Sequence, residues 1–242
     1  MSANRENGRE AILGALRRSL KRAPGDGAAA QVEARLAAKG RGPVPARAQL
    51  SPAAQVDLFQ AMAEELSSSV SRVARLDQVP GAIAAYLSRH NLPPRLRMAP
   101  NPMLETLPWD KAPLLNVSSG RSDGTDEVSL TGAFAGVAET GTLMLHSGAT
   151  HPTTLNFLPD THIVVLKASD IVGPYEDAWD RVRAARQGAD MPRTVNFVTG
   201  PSRTADIEQT IQLGAHGPRR LHIVIVEDGA PAAGASGQGN AP

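Results

Sequence analysis

The chain contains no cysteine. That absence removes disulfides, thiolate nucleophiles, CxxC redox pairs, zinc ribbons and any iron–sulfur cluster held by the chain's own thiolates. Aromatic residues are scarce, at 3% (four Phe, two Trp and two Tyr), which argues against base-stacking surfaces of the single-strand-binding type. Charge of one sign is also missing. Lys and Arg number 25 against 24 Asp and Glu, for a net charge of +1, so the basic field on which nucleic-acid modules rely is absent. No apolar run reaches the ~18 residues of a membrane span. No short apolar block follows the charged N-terminal segment, as a signal peptide would require. The expectation is a cytoplasmic protein without a nucleic-acid partner and without a membrane span.

What is present is ordinary globular material. Apolar residues make up 41% of the 242 residues and charged residues 20%, enough to bury a substantial core. At roughly 150 residues per domain the length corresponds to about 1.6 domains, hence one large domain with appendages or two small ones. Residues 1–50 read as a basic helical arm followed by a linker. Arg5, Arg9, Arg17, Arg18, Lys21 and Arg22 outnumber Glu6 and Glu10, while Ile12, Leu13, Leu16 and Leu20 form one stripe of an amphipathic helix. Such a helix docks on the body of the protein or on a partner; two acids interrupt the stripe that a membrane-surface helix would need. Residues 23–50 are rich in Ala, Gly and Pro around a weak helical patch from Ala29 to Lys39.

The main domain is expected over residues 51–228. Ser51-Pro52 is a helix start, with serine able to cap and proline suited to the first turn, and Leu58, Phe59, Met62 and Leu66 supply a helical face. Strands are expected at Val70–Leu76, Arg95–Ala99, Leu114–Val117, Glu127–Leu130, Thr142–His146, His162–Leu166, Thr194–Thr199 and Leu221–Val226. Helices are expected at Pro80–His90, Tyr175–Gln187 and Ala205–Gln212. Continuous β-branched runs alternating with helices imply an α/β fold, a mostly parallel sheet with helices on both faces. Residues 229–242, GAPAAGASGQGNAP, have nothing to bury and read as a disordered tail.

Ligands of open α/β sheets sit at the carboxyl ends of strands, which directs attention to three segments. Residues 131–142, TGAFAGVAETGT, combine three glycines and three threonines, a composition that lets backbone and hydroxyls approach an anion. Glu139 is the only carboxylate there. It is either a nucleophile or general base, or a glutamate accepting N–H bonds of a turn or pairing with an arginine. Residues 199–208, TGPSRTADIE, follow a strand and place Ser202 and Thr204 beside Arg203 at an expected helix start, an anion site built from free N–H groups and the helix dipole. The alternative is an ordinary capped helix with a solvent arginine. Asp206 and Glu208 do not share a helix face and are no acid/base pair. The candidate anion contacts are thus Thr140, Gly141, Thr142, Gly200, Ser202, Arg203, Thr204 and Asp206. The third group is His146, His151, His162 and His216, without the HExxH spacing of a zinc helix. These read as hydrogen-bonded loop or strand-end residues, and no metal site is assigned. His222 lies in an apolar strand and reads as structural. No GxSxG elbow is present, which argues against serine hydrolysis.

Four runs occur in order: Ala138-Glu139-Thr140-Gly141-Thr142-Leu143, Leu158-Pro159-Asp160-Thr161-His162-Ile163-Val164-Val165, Gly200-Pro201-Ser202-Arg203-Thr204-Ala205-Asp206-Ile207-Glu208 and Leu213-Gly214-Ala215-His216-Gly217-Pro218. With them the sequence resembles the lactate utilisation protein C (LutC/YkgG) family, which carries the LUD domain, over about residues 55–228. The resemblance implies a NagB/RpiA/CoA transferase-like fold and a part in oxidising L-lactate to pyruvate. It also implies two partner proteins that carry the iron–sulfur clusters; with no cysteine and no dinucleotide fingerprint, this chain is itself expected to bind no cofactor. It supplies no agreed catalytic residue. Some CoA transferases of this fold use a glutamate near a glycine-containing turn, an analogy of fold that touches Glu139 without transferring the role.

Two functions follow. In the first, the chain is a subunit or accessory factor of a lactate-oxidising system that binds a small anionic or nucleotide-like ligand. Side chains alone cannot take up two electrons, so the redox centres belong to partners. In the second, it is a stand-alone transferase or ligase acting on a CoA thioester or phosphorylated metabolite, with Glu139 as nucleophile and Ser202, Arg203 and Thr204 holding phosphate.

Overall fold

A computed structural model describes residues 3–21, 27–38, 40–186, 191–204 and 212–228. The chain divides into two compact units, 1–43 and 44–242. The first holds helices α1 (Ala3–Ser19) and α2 (Ala28–Ala38). Arg17 and Arg18 occupy the last turn of α1, where cations oppose the negative end of the helix dipole. The stripe expected from the sequence is present but largely uncovered, with Ile12, Leu16 and Leu20 all exposed.

The second unit begins its main elements with α3 (Pro52–Glu65), whose Pro52 fills the first turn. Ser51 has the extended backbone of an N-cap, yet its side chain makes no capping bond. There follow β1 (Ser69–Val73), α4 (Val79–Arg89), β2 (Arg95–Met98), α5 (Pro102–Glu105), β3 (Asn116–Ser119) and β4 (Val128–Gly132). Then come β5 (Ala135–Val137), β6 (Thr142–His146), α6 (Thr154–Phe157), β7 (Thr161–Lys167), β8 (Ile171–Val172), α7 (Tyr175–Arg186) and β9 (Val195–Val198). The last are β10 (Arg203–Thr204), β11 (Gln212–Leu213) and β12 (Arg220–Val226). Six strands pair in the order β1-β12-β7-β4-β2-β3, every pairing parallel.

Both faces of this sheet are buried, as its unbroken apolar runs require. Ile163 and Val165 of β7, with Val224 and Val226 of β12, pack on one face against Val79, Ile83 and Leu87 of α4. Val164 and Leu166, with Leu221, Ile223 and Ile225, point to the other face, where Val56, Phe59 and Ala63 of α3 meet them. At about 1.5–3 kcal/mol for each fully buried aliphatic side chain, these two clusters hold the elements in place.

Beyond β4 the expected strands at Thr142–His146 and Thr194–Thr199, now β6 and β9, leave the parallel sheet and join the unexpected β5 and β8 in a second, four-stranded sheet in the order β8-β5-β6-β9. Leu143 and Leu145 of β6 face the main sheet. Met144 turns the other way, with Ala135 and Val137 of β5, onto Ala178 and Val182 of α7. The order of layers is therefore α4, the parallel sheet, α3 with the small sheet, and α7. Strands β5 and β8 are only three and two residues long, too short to leave a period-2 pattern. Among the described residues no helix is long and apolar enough to cross a membrane.

Of the expected helix at Ala205–Gln212 only Gln212 is described, and it lies in a strand. Arg203 and Thr204 form β10 and pair antiparallel with Leu213 and Gln212 of β11; residues 205–211, including Asp206 and Glu208, lie outside the described residues. Residues 229–242 lie outside them too.

Candidate functional site

The two loops singled out in the sequence do converge. Thr142, at the start of β6, hydrogen-bonds Thr199, at the end of β9, through their hydroxyls at 2.7 Å. The Thr142 hydroxyl also lies 2.8 Å from that of Thr140 and 3.0 Å from that of Tyr175, and the latter two are 2.9 Å apart. Four hydroxyls thus satisfy one another in a part-buried knot. Nearby, Glu139 is buried, and its Oε1 accepts the N–H of Tyr175 at 3.1 Å. Tyr175 opens α7, so the carboxylate sits where a helix leaves donors unpaired and its dipole is positive. The Glu139 N–H in turn donates to the Gly173 carbonyl at 3.2 Å. Of the two roles open to Glu139 in the sequence, this geometry is that of an acceptor for turn N–H groups.

The glycines of this corner pack against α3. Gly141 has φ +61°, and a Cβ there would lie 2.4 Å from the backbone nitrogen of Ala63. Gly200 has φ +80°, and its Cβ would lie 2.6 Å from the carbonyl oxygen of Leu66. Arg203 donates to that same carbonyl at 3.2 Å, so its cation caps the C-terminal end of α3. Ser202 is not a helix cap, because the residues after it are strand. Its hydroxyl accepts the His216 N–H at 3.3 Å, while its backbone bonds Pro218 and Gly214. The GPSR and LGAHGP runs are therefore paired with each other. Glu139, Thr140, Gly141, Thr142, Gly200 and Arg203 gather around the end of α3 and the start of α7; Thr204 belongs to β10.

A different corner collects polar groups at the carboxyl ends of β2 and β4. Asn101 follows β2, and its Oδ1 accepts the Met103 N–H at 2.9 Å. That bond fixes the amide, leaving Nδ2 to donate to Nε2 of His151 at 2.9 Å. With Nε2 an acceptor, a neutral His151 carries its proton on Nδ1, where the Thr150 hydroxyl accepts it at 2.9 Å. The His146 ring lies 4.8 Å from that of His151 and makes an edge contact with Phe134 at 4.9 Å. Nδ1 of His146 is buried and has no hydrogen-bond partner. Burial pushes the His146 pKa down, helped by the charge of Arg186 and partly opposed by the Ser147 backbone. Burial, with His146 beside it, lowers that of His151. Both rings are held neutral at pH 7.

His162 and His222 lie in β7 and β12 of the main sheet. His162 is fully buried, bonds the Thr131 hydroxyl at 2.8 Å, and is pushed by burial down to about 3. His222 bridges the hydroxyls of Ser69 and Ser71 and stacks on Tyr86 at 3.9 Å. Burial pushes it down to about 4. Among the described residues, no group of three or more His, Asp or Glu could hold a metal ion. The sequence reading missed Asn101 and Arg186. Asn101-Pro102 is a helix start by pattern, and Arg186 is one of several arginines on α7, so neither carries a signal of its own.

A six-stranded parallel sheet with flanking helices and an inserted small sheet places this chain among α/β proteins with sites at strand ends. Residues 57–226 match the model of the LUD domain, so the chain belongs to the LUD domain family. A lactate utilization protein C of Deinococcus radiodurans is 30% identical over 195 residues, 76% of this chain and 85% of that protein. An uncharacterized protein of Neisseria meningitidis is 38% identical over 100 residues, and a lactate utilization protein C of Geobacillus thermodenitrificans is 35% identical over 118. The chain spans only about half the length of these last two relatives, 42% and 49%. Among solved structures, a DUF162 family protein from D. radiodurans superimposes with a TM-score of 0.54 at 27% identity, covering 73% of this chain and 99% of that one.

Proposed function

We propose that this protein serves lactate utilisation as a non-redox component, binding a small anion while partner proteins hold the iron–sulfur clusters that accept the electrons. The observation that carries this reading is the relationship to the D. radiodurans lactate utilization protein C, which extends along 85% of that protein. The composition supports the division of labour, since a chain without cysteine has no thiolates for a cluster. The geometry supports binding more than covalent catalysis. The carboxylate best placed by sequence, Glu139, accepts a helix N–H, whereas Nδ1 of His146, at the end of β6, has no hydrogen-bond partner.

Deleting the gene is expected to abolish growth on L-lactate as sole carbon source while leaving growth on glucose intact. An affinity-tagged chain is expected to bring down cysteine-rich iron–sulfur proteins from lactate-grown cells. Unimpaired growth of the deletion strain on lactate overturns the reading, as does lactate oxidation by the purified chain alone.

A further inference from the structure

Beside the histidine pair lies an open cavity of about 310 Å³, lined by Phe134, His146, Ser147, Val182, Arg186 and Pro192 among others. We propose that this cavity binds a short 2-hydroxy or 2-oxo monocarboxylate, with Arg186 pairing the carboxylate and His146 and Ser147 facing the 2-oxygen. The assignment rests on the lactate-utilisation reading for the identity of the acid, and on the cavity itself for its class.

Four observations lead there. Among the described residues the lining contains one arginine and no carboxylate, and no acid is paired with Arg186, a charge balance that favours an anion. Arg186 and His146 line the same cavity, and the guanidinium charge contributes to the lowered pKa of that ring. Ser147 Oγ accepts the Thr194 N–H at 2.9 Å, which leaves the hydroxyl proton free to donate. Phe134, Val182, Ala185 and Pro192 supply an apolar wall suited to a methyl group rather than to a second charge. The volume stands at the small end of metabolite pockets, and the position beyond β6, near the carboxyl ends of β2 and β4, is where ligands of such sheets bind. Another open cavity, about 300 Å³ at the opposite strand ends, has a different character: Asp126 and Glu127 offset Arg95 and Arg97, and Asp126 already pairs with Arg97.

Saturation-transfer NMR on the full chain with L-lactate, pyruvate, propanoate and 2-propanol tests the assignment. Lactate and pyruvate are expected to bind through their methyl groups, propanoate more weakly, and 2-propanol not at all. Arg186→Gln should raise the Kd for lactate and pyruvate at least tenfold with an unchanged melting temperature. His146→Gln should weaken lactate and leave propanoate unaffected, because only the former offers a 2-oxygen. No binding of either acid at 10 mM (about a thousandfold above a 10 μM site), or equal affinity in wild type and Arg186→Gln, overturns the cavity assignment. Those failures leave the pathway reading standing, which falls instead if the deletion strain grows normally on lactate.

Discussion

Two corners of the same domain invite opposite conclusions. The corner built from residues 139–142 and 199–203 is dense in glycine, threonine and charge, yet its groups answer one another: hydroxyl to hydroxyl, carboxylate to helix N–H, arginine to helix carbonyl. The corner built from Asn101, His146, His151 and Arg186 is spread thinly along the sequence. It leaves a histidine nitrogen unpartnered and opens on a cavity. A motif rich in ligand-like residues can be demanded by packing as strictly as by chemistry. The distinguishing quantity is hydrogen-bonding capacity left over after folding.

The sharpest way to break this contrast is at Gly141. A Cβ on that residue would stand 2.4 Å from the Ala63 nitrogen, on a backbone at φ +61°, so neither rotation nor a small shift relieves it. Gly141→Ala is expected to cost about 3 kcal/mol or more, a fall in melting temperature of roughly 6–12 °C for a chain of this size. A variant as stable as wild type would mean that the corner does not close on α3 and could receive a ligand. Next in size is Thr142→Val, which keeps the shape but removes the hydroxyl shared by Thr140, Tyr175 and Thr199. Thr140 and Tyr175 still bond each other, while Thr199 loses this partner. The expected loss is about 1–3 kcal/mol by urea denaturation, against under about 0.5 kcal/mol for Arg186→Gln on the open corner. Comparable losses at the two positions would erase the distinction.

The contrast also explains what could be read in advance. The β7 and β12 runs announce themselves because a strand buried on both faces is nearly all apolar, and Ile163 to Leu166 and Ile223 to Val226 alternate between two core clusters without a polar break. The α3 and α4 starts are legible from Ser51-Pro52 and Pro80. The small sheet is not, because β5 and β8 are very short and pair with each other across a long stretch of chain, Gly136 with Ile171. The cap signal at Ser202 misled for a related reason. Ser202 finds its partners at His216, Gly214 and Pro218, and long-range pairing overrode a local cap signal. At the candidate cavity, His146 and His151 were visible as a pair around a loop, but nothing local says that Arg186, forty residues later, supplies the cation. The sequence reading located strand ends and missed which of them stays open.

The smallest effect separates the corners most cleanly. In Glu139→Gln the side-chain oxygen still reaches the Tyr175 N–H, and only the negative charge at the N-terminus of α7 is lost. The expected cost is about 0.3–1 kcal/mol, read as a shift of the urea midpoint. Growth on lactate should be retained, because an amide can accept a hydrogen bond but cannot attack an acyl or phosphoryl group as a carboxylate does. A folded Glu139→Gln protein that fails to support growth on lactate would reverse the comparison. It would mean that the carboxylate leaves Tyr175 during function, and that the closed corner is one state of a site that opens.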